Sequence, residues 1–127
     1  MTKISIFDQK FEFSIIKHFR DPQECEIQKD DPLTVSNGGI TVRMAVNMLD
    51  MANNVMEKLE NIKKPTFIAS GSDDYILDPK GCEICSKKIQ NNVYKLYDGA
   101  YHSLHVELEE TRQEFFSDLK LWIQNLL

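Results

Sequence analysis

Two short apolar runs, each closed by a glycine and each followed by a helical pattern, constrain this chain more than any other feature. The first is Thr66-Phe67-Ile68-Ala69, which follows Lys64-Pro65 and stops at Ser70-Gly71. Its continuous apolarity suits a strand buried on both faces of a parallel sheet, and the residue before a proline avoids helical geometry. Asp78-Pro79 then pairs an N-cap residue with proline in the first helical position, which predicts a helix through about Lys88. The second run, Val93 to Tyr97, is broken by Asp98-Gly99, and from Glu107 onward Leu108, Phe115, Leu119, Trp122 and Leu126 mark a closing amphipathic helix. Upstream, beyond Asn37-Gly38-Gly39, the residues Ile40, Met44, Met48, Met51, Val55 and Leu59 recur at helical spacing on one face. Strands alternating with helices imply right-handed crossovers and a parallel sheet, whose carboxyl-end loops gather along one edge. Two strands fall short of the roughly five or six of a typical sheet, so an incomplete α/β sheet is expected, with its missing part on the N-terminal side.

The 127 residues suit one domain, and 42% hydrophobic with 28% charged residues is an ordinary globular balance. A net charge of −5, with Lys and Arg never in runs longer than a pair, argues against a nucleic-acid partner. No apolar stretch approaches the roughly 20 residues of a membrane span, and the opening Met1 to Phe7 meets Asp8 too soon for a signal peptide. A cytoplasmic location is expected, with peripheral membrane contact left open. Three cysteines, Cys25, Cys82 and Cys85, are too few and too odd for a disulfide scaffold, so reduced thiols are the expectation. Lys3 to Ile15 alternates partly, with Phe11, Phe13 and Ile15 on one side, as a strand would, whereas the charged, two-proline segment Arg20 to Pro32 reads as a surface connection.

Chemistry concentrates in the loops after the two runs, Gly71-Ser72-Asp73-Asp74 and Gly99-Ala100-Tyr101-His102. If the two strands are neighbours, a carboxylate from the first loop can accept the imidazole N–H of the second and fix the tautomer that a general base requires. His105, three residues on, suits a hydrogen bond within its loop or a cap on the last helix. Cys82-Glu83-Ile84-Cys85 with His102-Ser103-Leu104-His105 offers zinc-ligand types, which makes a small zinc module an alternative. The gap between the pairs and the tight H-x-x-H both depart from finger spacing. A redox C-x-x-C near a helix start is the other option, without a thioredoxin-like context. The plain expectation is two small residues on a half-buried helix.

The segment Pro65 to Asp74, PTFIASGSDD, followed by Asp78-Pro79-Lys80-Gly81 and by LYDGAYHSLHVEL from Leu96 to Leu108, resembles the C-terminal portion of monoacylglycerol lipases and lysophospholipase-like serine hydrolases. Asp31-Pro32-Leu33 and the stretch ending in Glu57-Lys58-Leu59 are similar to the family's return from cap to core. The resemblance divides the chain into a leader or cap remnant, 1–30, and the C-terminal half of an α/β-hydrolase domain, 31–127. It implies that Asp74 is a triad acid and His102 the triad base, leaving Asp73 as a turn carboxylate. It also implies a monoacylglycerol or lysophospholipid ester as substrate, with no metal or cofactor. The family's nucleophilic G-x-S-x-G elbow and His-Gly oxyanion-hole segment are absent from these 127 residues, so little activity is expected of them alone. The methionines at 44, 48, 51 and 56 are expected to pack in a core. The family's cap lines a lipid entrance, which makes Met44 and Met48 the alternative candidates for acyl contact. A non-catalytic relic or interaction module, pairing through its open sheet edge with itself or another chain, is the competing expectation.

Overall fold

Pro65 marks the entry to the part of the molecule that matters most, because β3 (Thr66–Gly71) begins directly behind it. The computed structural model of the chain describes residues 10–11, 19–33 and 40–127. β3 lies parallel to β4 (Asn92–Tyr97), in register from Thr66 opposite Asn92 to Gly71 opposite Tyr97. The crossover between them is α3 (Pro79–Lys88), started by Asp78, whose carboxylate accepts the Lys80 N–H at 3.0 Å. Both glycine-bearing loops therefore leave the same end of an open two-stranded sheet.

Behind β4 runs α4 (Glu109–Gln124). Tyr97, Ala100 and Leu104 form a buried cluster against which Ala69 and Phe115 pack. The Tyr97 and Phe115 rings meet edge to face at 5.9 Å, and Phe67 meets Trp122 at 5.7 Å, so the aromatic side chains fasten the closing helix to the sheet. The buried Tyr97 hydroxyl donates to Asp118 at 3.1 Å. Burial first, and then the neighbouring Asp118 carboxylate, push that phenol well above the ordinary tyrosine range.

The N-terminal side departs from the pattern expected of it in three places. Arg20 to Pro32 contains a helix, α1 (Pro22–Asp30), started by Asp21 accepting from the Gln23 N–H and burying Cys25. It is the same Asp-Pro device that starts α3, and the density of charge around it conceals it. The upstream helix is shorter than its apolar periodicity: α2 spans Val42–Met56, with Thr41 capping Met44 N–H at 3.2 Å. Ile40 belongs instead to β2 (Ile40–Thr41), antiparallel to β1 (Lys10–Phe11), and Leu59 is buried in a 3-10 turn, Leu59–Asn61. Finally, among the described residues Met44, Met48 and Met51 do not pack in a core, being 51%, 49% and 63% exposed, while Met56 is partly buried. The rest of the strand expected over Lys3 to Ile15, and Asn37-Gly38-Gly39, lie outside the described residues. No helix among the described residues is long and apolar enough to cross a membrane.

Two glycines separate close backbone approach from mere helix propensity. A Cβ at Gly71 would overlap the Ala100 carbonyl and sit 2.5 Å from the Tyr101 carbonyl oxygen, whereas one at Gly81, inside α3, would meet nothing within 4 Å. Gly71→Ala should therefore destabilise by about 2–3 kcal/mol or more through overpacking. Gly81→Ala should be neutral or stabilising by up to about 1 kcal/mol. Urea titrations of the two variants check the contrast, and equal midpoints would contradict it.

Candidate active site

The acid loop is built around one carboxylate. Asp74 Oδ1 accepts the backbone N–H groups of Ile76 at 2.8 Å and Leu77 at 3.0 Å, an Asx-type turn that fixes its side chain. Its other oxygen lies 2.8 Å from His102 Nδ1. The Asp74 side chain is 7% exposed and that of His102 is 35% exposed, so the carboxylate is sheltered while the ring reaches the surface. Burial acts first and pushes the Asp74 carboxyl up. Hydrogen bonds from His102 and from the Leu77 and Ile76 N–H groups outweigh it and leave the carboxyl below the ordinary aspartate range. Asp73 is exposed and accepts from the Ser72 hydroxyl at 3.2 Å.

The two loops are joined by their backbones. Ser72 N–H donates to Tyr97 O at 2.9 Å and Asp73 N–H to Ala100 O at 3.0 Å, while Gly99 N–H donates to Ser72 Oγ at 2.7 Å. Gly99 turns with a φ of 65°, a left-handed conformation natural to glycine, which swings the chain from β4 back over Gly71. Tyr75 and Tyr101, the neighbours of Asp74 and His102, stack edge to face at 5.0 Å across the loops. Ser72 is thus a bridge between loops.

The histidine loop has a second anchor that local sequence patterns do not reveal. Glu107, 1% exposed, accepts Tyr101 N–H at 2.6 Å through Oε1 and Leu108 N–H at 3.0 Å through Oε2. Arg20 lies 3.8 Å from the same carboxylate and donates to the Gly99 carbonyl at 2.5 Å. His105, expected to bond within the loop or cap the last helix, sits exposed in the 3-10 turn Leu104–Val106, and Glu107 does the fastening. Only carboxylate burial distinguishes Glu107 from the other acids near α4, and burial is a tertiary property.

The remaining candidates lie on α2 and α3. Met44 and Met48 line a surface hollow with Thr41, Arg43, Asn47 and Met51, which includes neither Asp74 nor His102. Cys82 and Cys85 are half-buried on α3, with Cys85 Sγ 4.0 Å from Met56 Sδ. Burial pushes the Cys82 thiol up despite a hydrogen bond with Ser70, opposite to the lowered value a redox thiol at a helix start would have. Among the described residues no three His, Cys, Asp or Glu side chains are grouped to hold a metal ion.

This geometry agrees with three comparisons. Residues 10–109 match the hydrolase family described as serine aminopeptidase, S33. The monoglyceride lipase of Homo sapiens is 31% identical over 106 residues, 82% of this chain and 35% of that protein. The monoglyceride lipase homolog of Monkeypox virus is 31% identical over 107 residues, 84% of this chain and 38% of that protein. The chain thus spans about a third of the length of these curated relatives. In fold, it superposes on the crystal structure of a soluble variant of monoglyceride lipase from Saccharomyces cerevisiae with a TM-score of 0.78 at 24% identity, over 92% of this chain and 41% of that one. The parallel strand pair, the crossover helix and these matches together show that the chain belongs to the serine aminopeptidase S33 family, as a monoglyceride-lipase-like α/β-hydrolase domain.

Proposed function

We propose that Asp74 and His102 are the acid and base of a serine ester hydrolase that cleaves monoacylglycerols or lysophospholipids, with the nucleophilic serine supplied from outside these 127 residues. The observation that supports this most is the 2.8 Å contact between Asp74 and His102 Nδ1, made where two neighbouring parallel strands end. With Nδ1 donating to the carboxylate, the proton-accepting nitrogen of the neutral ring is Nε2. In the proposed cycle Nε2 removes the serine hydroxyl proton as the oxygen attacks the ester carbonyl, then passes that proton to the departing glycerol oxygen. Water, deprotonated by the same nitrogen, attacks the acyl-serine, and the fatty acid leaves as the serine regains its proton. Asp74 keeps the ring oriented and stabilises the imidazolium in both halves. Acyl contact by Met44 and Met48 finds its support in their exposure.

A second reading rests on the sheet itself. β3 and β4 pair only with each other among the described residues, and within that set each has one edge without a strand partner. Such an edge can recruit a strand from another copy or from a complementary chain, and the fragment would then act as an interaction module.

Hydrolysis of a short acyl ester and of a monoacylglycerol by the 127-residue chain should equal that of His102→Ala. Joined to an N-terminal α/β-hydrolase segment carrying a G-x-S-x-G serine, the chain should hydrolyse both and react with a fluorophosphonate. His102→Ala should then lower the rate by about 10³-fold or more. Turnover by the unsupplemented chain that vanishes in His102→Ala would contradict the proposal and point to Ser70, Ser72 or Ser103. Self-association without fluorophosphonate reactivity in any pairing would favour the interaction module.

The lowered Asp74 carboxyl also makes stability depend on pH. A group whose folded-state value lies below its unfolded value of about 3.9 contributes stability above that value and loses it as pH falls through the folded value. The advantage of the wild type over Asp74→Asn in urea should be present at about pH 5 and shrink toward about pH 3. An advantage that stays constant over that range would show that ionisation of Asp74 contributes nothing.

A further inference from the structure

The buried acid at position 107 serves neither as a surface charge nor as a helix cap of the usual kind. Its carboxylate is among the least exposed groups described, and it joins the segment that carries His102, through Tyr101 N–H, to the start of α4, through Leu108 N–H. Tyr101 N–H, which it accepts at 2.6 Å, is the peptide group one residue before His102. Arg20, 3.8 Å from Glu107 Oε2, simultaneously donates to the Gly99 carbonyl at the start of the same loop. The loop is therefore gripped at Gly99 and at Tyr101 by one ion pair. The far end of the loop closes through the 3-10 turn, where Val106 N–H donates to Ser103 O at 3.0 Å.

Stability alone does not call for a charged pair here, since replacing a buried ion pair with apolar side chains of similar volume is often neutral or stabilising. A buried carboxylate does offer two fixed acceptors for backbone N–H groups, which an apolar side chain cannot. Asp74 is held independently by Ile76 and Leu77, so the distance from its free oxygen to His102 is set by where the histidine loop is placed.

We propose that Glu107, backed by Arg20, is a positioning residue that sets the His102 loop so that Nδ1 meets Asp74. The proposal rests on the Asp74–His102 assignment above. Glu107→Gln preserves shape but presents one acceptor oxygen where the carboxylate presents two. Either Tyr101 or Leu108 N–H then loses its partner, and the attraction to Arg20 is lost.

The test uses the full chain, labelled with 15N at histidine and 13C at aspartate. In the wild type, a His102 ring N–H signal that Asp74→Asn abolishes identifies the pair. In Glu107→Gln, with circular dichroism unchanged, that signal should weaken or disappear, and the Asp74 carboxyl titration should move up toward the ordinary aspartate value. A wild-type signal and titration in a folded Glu107→Gln would overturn the proposal while leaving the Asp74–His102 pair intact. Should that variant not fold, Arg20→Leu decides, because Arg20 is partly exposed: a weakened pair signal supports the proposal, and an unchanged one overturns it. Absence of the signal from the wild type itself would instead remove the Asp74–His102 assignment, and the proposal with it.

Discussion

The approach of two backbones at the end of the sheet, Gly71 beneath Ala100, is the contact on which the rest of the site depends. No side chain larger than hydrogen fits at position 71, and that closeness lets Asp73 N–H reach Ala100 O and Ser72 N–H reach Tyr97 O. The parallel register of β3 and β4 brings the loops to a common edge, and Gly99 folds the second loop over the first. With those bonds in place Asp74 and His102 face one another without either side chain having to supply the attraction that aligns the loops.

Both carboxylates that organise the site are sheltered, and both are paid for in backbone hydrogen bonds. Asp74 takes two N–H groups from its own turn, and Glu107 takes one from the histidine loop and one from the start of α4. Unpaired, either would be expensive to bury. Paired in this way, they convert burial into position, because an acceptor with several fixed donors has one comfortable place to be. The result is an Asp–His couple whose acid is shielded from water and whose imidazole opens toward solvent, an arrangement suited to moving protons to and from a group outside the loops.

What the sequence makes legible follows from the range of each interaction. β3, α3, β4 and α4 are announced by apolar runs, by Asp-Pro and by Asp-Gly, all signals contained within a few residues, and the structure places them as those signals suggest. The facing of Asp74 and His102 is accessible because neighbouring parallel strands must deliver their loops to one edge. Arg20 and Glu107 are invisible by the same standard: each looks like a surface charge until the other, and the loop between them, is seen. α1 carries a local signal in Asp21-Pro22 that the surrounding charge overrides. The methionine stripe of α2 is read correctly as an apolar face, yet periodicity says only that a face is apolar, and among the described residues nothing covers Met44, Met48 or Met51 fully.

The central claim is that the fold itself, through its two loops, holds the histidine ring with Nδ1 toward Asp74. The most direct measurement is the 15N chemical-shift pair of the His102 ring in the wild-type chain, at a pH where the ring is neutral. The account predicts a proton on Nδ1 and a bare, proton-accepting Nε2, with Asp74→Asn disturbing that preference. A ring that carries its proton on Nε2, or whose tautomer is indifferent to Asp74, would contradict it.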